Sequence, residues 1–199
     1  MRLLQTCVVL GLLSVSTLAS AQIKQPGAHP HYAVELEPHL IVQWNESCAS
    51  DGFGPGFRAT IPFLDNGPVP RINNNMGISF GLDWAHSGIS SNCGAYYRNG
   101  VYYGNGYGAD IWTIPVVVQW NFFLLPKVSV FGEAGLVLEH RRYDGNFNCG
   151  NNNVCDGVGS DNHGDFAFAA GGRFLVSDSV GFLLRLGYPY FSAGVSILL

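Results

Sequence analysis

Val34-Glu35-Leu36-Glu37-Pro38-His39-Leu40-Ile41-Val42-Gln43-Trp44 sets Val34, Leu36, Leu40, Val42 and Trp44 on one parity and both glutamates on the other. A period of two is the side-chain period of a strand whose two faces meet different surroundings. The same alternation recurs along the chain and predicts eight strands, near 34–44, 56–63, 76–85, 111–122, 128–139, 165–176, 180–187 and 191–199. Met76, Ile78, Phe80, Leu82 and Trp84 make the apolar face of the third, and Trp112, Ile114, Val116, Val118 and Trp120 that of the fourth.

The charges take the opposite face: Glu35, Glu37, Arg58, Asp83, Glu133, Glu139, Asp165, Arg173 and Arg185. Strands with two charges are the informative ones. Glu35 with Glu37, Glu133 with Glu139, and Asp165 with Arg173 share a parity in every case. Alternation by itself fits two architectures, a soluble β-sandwich with its apolar face inward or a membrane barrel with its apolar face outward.

Aromatic placement separates them. Trp44, Trp84 and Trp112 fall at one rim of an up-and-down barrel, and Trp120, Phe122 and Phe63 at the other. Two aromatic girdles around an apolar band mark a membrane barrel. Most of the strands also approach the roughly 9–11 residues that a tilted strand needs to cross the hydrocarbon.

The amino terminus points to export. Arg2 precedes an apolar run over 3–18, and Ala19-Ser20-Ala21 has the small-residue pattern of a signal-peptide cleavage site, so a mature chain would begin at Gln22. Cys7 lies inside the apolar run, away from any lipoprotein cleavage point. The expected organisation is a signal peptide at 1–21, a short periplasmic segment at 22–33 and a barrel at 34–199, with both termini periplasmic. Loop lengths then place 45–55, 86–110, 140–164 and the Tyr188-Pro189-Tyr190 turn outside, and 64–75, 123–127 and Ser177-Asp178-Ser179 in the periplasm. Charge is sparse and slightly negative, −4, which gives no electrostatic case for nucleic acid.

The final octad, Ser192-Ala193-Gly194-Val195-Ser196-Ile197-Leu198-Leu199, reads polar, any, Gly, any, any, apolar, any, apolar. In this spacing, and in its eight-strand pattern, the mature chain resembles the small outer-membrane β-barrels of the OmpA/OmpX-like group. That resemblance implies an all-β, eight-stranded antiparallel up-and-down transmembrane barrel in a bacterial outer membrane. It further implies a monomer contacting outer-membrane lipid, and a C-terminal signal, Ser192, Gly194, Ile197 and Leu199, read by the barrel-insertion machinery. Leu199 departs from the aromatic residue with which that group usually ends.

Beyond the signal region the cysteines are Cys48, Cys93, Cys149 and Cys155, all in expected outer loops. An even count in an exported chain points to disulfides, and Cys149 with Cys155 and Cys48 with Cys93 are the favoured pairs. Asp144-Gly145-Asn146-Phe147-Asn148 resembles the start of a calcium loop, but Cys149 and Cys155 occupy the positions of its invariant Gly and Glu. Tyr96, Tyr97, Tyr102, Tyr103 and Tyr107 offer a contact surface for an unidentified ligand, or packing against the rim.

Glu35, Glu37, Arg58, Asp83, Glu133, Glu139, Arg173 and Arg185 form the expected interior. An eight-stranded barrel is just wide enough to be filled by its own side chains, so these charges are read as a salt-bridged polar core rather than as acid–base catalysts. No nucleophile elbow, zinc-protease helix motif or phosphate loop is present, and His86-Ser87 lacks the His-x-Ser spacing of outer-membrane lipid hydrolases. His29 and His31 form His-x-His, read as a flexible segment with no metal or cofactor assigned. The leading expectation is a non-enzymatic barrel with a structural role, or one making surface contact through disulfide-braced loops. A lipid-modifying enzyme or small-ligand carrier, and a soluble sandwich or lipocalin-like binder, are the alternatives.

Overall fold

A computed structural model describes residues 22–44, 49–89, 96–98, 101–103, 108–148 and 154–199, with backbone only at several strand ends. Eight strands close into one antiparallel barrel: β1 (Glu35–Gln43), β2 (Ala49–Leu64), β3 (Asn74–Ile89), β6 (Gly108–Leu125), β7 (Val128–Asn148), β8 (Val154–Leu175), β9 (Val180–Tyr188) and β10 (Tyr190–Leu198). A separate two-stranded pair, β4 (Tyr96–Arg98) with β5 (Val101–Tyr103), lies within the outer loop expected at 86–110. Closure comes from β1 pairing with β10, where Leu36 meets Ile197 and Val42 meets Phe191. Val34 and Leu199 exchange backbone hydrogen bonds at the same seam, so both ends of the barrel lie at one mouth, here the terminal end.

The parity of the strands decides which face is in. On β1 the residues Glu35, Glu37, His39, Ile41 and Gln43 are all buried, while Leu40 is half exposed. Around the outside, Phe57, Phe80, Ile114, Leu136, Phe168, Phe182 and Leu186 are exposed. Charged residues inside and large apolar ones outside are the inverse of a soluble sandwich or of a lipocalin, whose enclosed face is apolar. Among the described residues no helix is long and apolar enough to cross a membrane, which leaves crossing by strands open.

Several strands run further than their composition suggested. β7 has 21 residues and β8 has 22, whereas β1, β9 and β10 have 9 each. Most of the expected 140–164 loop is therefore strand, and the register continues through Asp144↔Val158 to Asn148↔Val154. Asp144 to Asn148 is extended backbone, which does not form the turn of a calcium loop. Likewise β2 starts at Ala49 and β3 reaches Ile89, so Trp84 lies within a strand rather than at its end. The Gly, Asn and Asp residues that suggested loops are tolerated because a neighbouring strand supplies ladder partners, and context outweighs intrinsic strand preference.

The wall is thus uneven. β8 pairs with β9 only from Phe168 onward, so residues 154–167 of β8 share a backbone ladder with β7 alone among the described strands. At the terminal end the β6–β7 and β8–β9 connections are short while β2–β3 runs over 65–73, and the Ser177 hydroxyl accepts from the Val180 amide at 3.1 Å, holding the β8–β9 turn.

Gly171 faces an aromatic neighbour at close quarters. The Phe131 ring lies over its cross-strand partner Gly171, where a Cβ would also meet the Leu184 carbonyl. Replacing Gly171 with Ala is expected to lower the stability of the folded chain by about 1–3 kcal/mol. Gly132→Ala, whose Cβ would meet nothing within 4 Å, is the silent comparison. Urea-unfolding midpoints in detergent check both, and equal midpoints would refute the packing role of Gly171.

Candidate functional site

Inside the barrel, alternate residues of the eight strands build a central ion-pair network and two smaller groups, one toward each end. Arg185 of β9 is the centre of that network. Its Nη1 donates to Glu37 Oε1 at 2.6 Å and to Ser192 Oγ at 3.0 Å; its Nε donates to Glu133 Oε2 at 2.9 Å; its Nη2 donates to Glu37 Oε2 at 2.9 Å and Glu133 Oε1 at 3.0 Å. Glu133 also accepts from Arg58 Nη1 at 3.1 Å and from Gln119 at 2.9 Å. One carboxylate thus serves two guanidiniums, the arrangement that buried ions need to offset their lost hydration.

Toward the terminal end, Arg173 grips Glu35 through two bonds, at 2.9 and 2.5 Å, and Ser196 donates to the same carboxylate at 2.5 Å. Toward the far end, Arg58 donates to the Tyr190 hydroxyl at 2.6 Å, Tyr190 donates to Asp83, and His39 Nε2 lies 2.9 Å from Asp83 Oδ1. Gly56 makes that last contact possible, because a Cβ there would strike both Asp83 and His39. Highest of all, Glu139 accepts from Gln43 at 2.9 Å and from Arg141 at 2.7 and 3.0 Å. Ile41, Ala85 and the Tyr190 ring form one apolar layer among these groups, and Val117, Val137 and Ala167 another.

The pairs bridge strands that are not neighbours. Arg58 of β2 reaches Glu133 of β7, and Arg173 of β8 reaches Glu35 of β1, each across three steps of the barrel order. The Phe131 ring sits beneath the Arg173 and Arg185 guanidiniums at 6.0 and 5.4 Å, within cation–π range. The void left between Arg58, Glu133, Arg185 and Tyr190 is about 10 Å³, room for about one water.

Each interior residue named from the sequence is enclosed: Glu35, Glu37, Arg58, Asp83, Glu133, Glu139, Arg173 and Arg185 are all at most 6% exposed. Asp165 differs. Its carboxylate is at the rim, bonded to the Tyr188 hydroxyl at 2.9 Å, because β9 ends there and leaves no wall beside it. Trp84 and Trp112 are cross-strand partners with ring centroids 6.4 Å apart, and Trp44 is exposed just past β1. Trp120 is half-buried and donates its indole N–H to Asn74 at 2.8 Å. Ser192 is enclosed, Gly194 lies against His39, Ile197 is half-buried at the seam and Leu199 is exposed. Cys48, Cys93 and Cys149 lie outside the described residues, as does 1–21, and of Cys155 only the backbone, in β8, is described.

Sequence reasoning passed over His39, Tyr190 and the terminal mouth. Residues 22–34 cross that mouth rather than trailing from it. The Asn73 amide donates to the Ile23 carbonyl at 2.7 Å, and His29 stacks on Phe123 with centroids 4.6 Å apart. Asn75 donates to the Tyr32 hydroxyl at 3.3 Å. Burial pushes that hydroxyl above the usual tyrosine range, opposed by the nearby Arg173 charge, so Tyr32 stays neutral at physiological pH.

Glu133→Ala strips the shared counter-charge from Arg58 and Arg185 and should cost about 3–5 kcal/mol of stability, the price of an uncompensated buried ion. Urea-unfolding midpoints measure it, and a loss under about 0.5 kcal/mol, the range of ordinary surface changes, would contradict the network's role.

No protein-family model matches the chain, and no curated protein matches it. Solved structures do. Neisserial surface protein A superposes with a TM-score of 0.50 at 16% identity, covering 83% of this chain and 96% of its own. Ail, the attachment invasion locus protein of Yersinia pestis, solved in complex with the heparin analogue sucrose octasulfate, gives 0.44 at 10% identity over 83% of this chain and 95% of its own. The same protein in a phospholipid bilayer nanodisc gives 0.43 at 13% identity over 85% and 100%. The chain has the fold of the small eight-stranded outer-membrane β-barrels.

Proposed function

We propose that this chain is a non-enzymatic protein of the bacterial outer membrane, a filled barrel that anchors a surface-contact structure. The observation that carries this reading is the inversion of the barrel: an enclosed ion-pair network within a closed wall whose outer face is apolar. Such a wall in water would expose a continuous apolar surface far beyond what soluble monomers carry, and in a bilayer it is matched.

A non-enzymatic role is supported by how the interior is occupied. Asp83 and Glu133, the carboxylates that acid–base chemistry would use, are enclosed and engaged by Tyr190, His39, Arg58, Arg185 and Gln119. Contact then falls to the far end, where β7 and β8 outrun β9 and β10 and leave one backbone edge of β8 without a partner among the described strands. An exposed edge is a template for an added strand. In this reading Cys48 with Cys93 and Cys149 with Cys155 brace the connections at that end, which faces outside the cell. Both termini are periplasmic, and Ser192, Gly194, Ile197 and Leu199 are presented to the insertion machinery before β10 closes the barrel.

The folded protein should stay in the membrane fraction through alkaline extraction and run on gels with a heat-modifiable shift. Release in soluble form by osmotic shock without detergent would overturn the membrane assignment. Asn162→Cys should react with an impermeant maleimide on intact cells beyond the parent chain, and Asp178→Cys only after permeabilisation. The reverse pattern would invert the orientation.

A further inference from the structure

We propose that His29, His31 and Asp65 form a binding site for a divalent transition-metal ion of the zinc class at the terminal mouth of the barrel. Asp65, just after β2, is far in sequence from His29 and His31, before β1, and the fold brings one donor atom from each to within 4.8 Å of the others. His31 Nδ1 and Asp65 Oδ2 are already 3.2 Å apart, close to the spacing of about 3.3 Å between two donors on one tetrahedral zinc ion. Two imidazoles and a carboxylate are a donor set that suits zinc and leaves a fourth position for water.

His29 is the fixed ligand. It is 5% exposed, and Phe123 stacks on its ring. Its Nε2 lies 2.7 Å from the Asp65 carbonyl and its Nδ1 lies 3.1 Å from the Pro30 carbonyl. A neutral imidazole has one N–H, so it can donate to only one of these oxygens, and the other nitrogen presents a lone pair to an oxygen lone pair. That nitrogen gains nothing from the oxygen it faces, and a small turn of the ring away from that oxygen would give its lone pair to a cation, while the carbonyl that receives the N–H acts as a ligand's outer partner. His31 and Asp65 are the movable ligands, with side chains 66% and 67% exposed and able to swing the remaining distance.

An ion held there would tie the 22–34 segment to the β2–β3 connection. The site lies outside the ion-pair network and needs none of its residues.

The test is calorimetric titration of Zn²⁺ into the untagged, full chain folded in detergent, with Co²⁺ absorption reporting ligand geometry. One ion per chain is expected, with a tetrahedral-type Co²⁺ band. His31→Ala and Asp65→Ala should each weaken binding at least about tenfold, since even outer partners of a metal ligand cost that much. Both positions are exposed, Asp65→Ala keeps the carbonyl that His29 contacts, and an unchanged heat-modifiable shift verifies folding. His140→Ala, at the far end, should leave binding unaltered. No uptake, uptake that survives either His31→Ala or Asp65→Ala, or uptake lost in His140→Ala would each overturn the site.

Discussion

The contact on which the rest of this barrel depends is the clasp of Arg185 between Glu37 and Glu133. A guanidinium enclosed by a protein wall has lost its water, and only close, bidentate carboxylates offset that loss. Those carboxylates come from β1 and β7, neither of which adjoins β9. The charge can therefore be satisfied only when the sheet has curled round and closed. Arg58 with Glu133 and Arg173 with Glu35 impose the same condition from two other directions. A buried ion pair is weak evidence for net stability, but three that each demand closure act as a test of topology.

Register follows from the same contact. A slip of one residue along β1 would turn Glu35 and Glu37 to the outer face and bring Leu36 and Leu40 inward, since side chains alternate strictly. In a bilayer that would place two carboxylates against hydrocarbon while stranding Arg173 and Arg185. Serines and glycines make room for the clasp. Ser192 and Ser196 face inward where β10 passes the arginines, and Gly171 admits the Phe131 ring beneath them. Small residues on the inner face of the closing strand thus belong to the same device as the charges.

Strand existence and facing were legible because alternation is local. Glu35 and Glu37 share a parity with no knowledge of the rest of the chain. Their partners were not legible, since Arg173 and Arg185 lie 138 and 148 residues away and only the closed barrel brings them near. Strand ends misled for a related reason. The 140–164 stretch has the Gly, Asn and Asp of a loop, yet β7 and β8 continue through most of it because each supplies the other's ladder. Composition reports what a segment prefers alone; pairing reports what its neighbour permits. His29-Pro30-His31 misled in the same way, as a plain tail in sequence and a packed cover over Phe123 in the fold.

These features leave the chain with a lumen that is occupied and a lower mouth that is covered. A barrel of eight strands has little spare volume, and here ion pairs and their hydrogen-bond partners take up much of it. At the far end β7 and β8 rise past β9 and β10, with no further strand partner for β8 among the described residues. Their shared ladder extends from Val128↔Phe174 to Asn148↔Val154, so the projecting part is continuous with the part held by Glu133 and Arg173. An edge strand left open in a loose sheet would invite unwanted pairing. Asp161, Asn162 and His163 place polar, exposed side chains along this edge of β8, the kind of residue that blunts such pairing. The ladder that carries this edge is thus one piece with the strands whose inner faces hold the ion pairs.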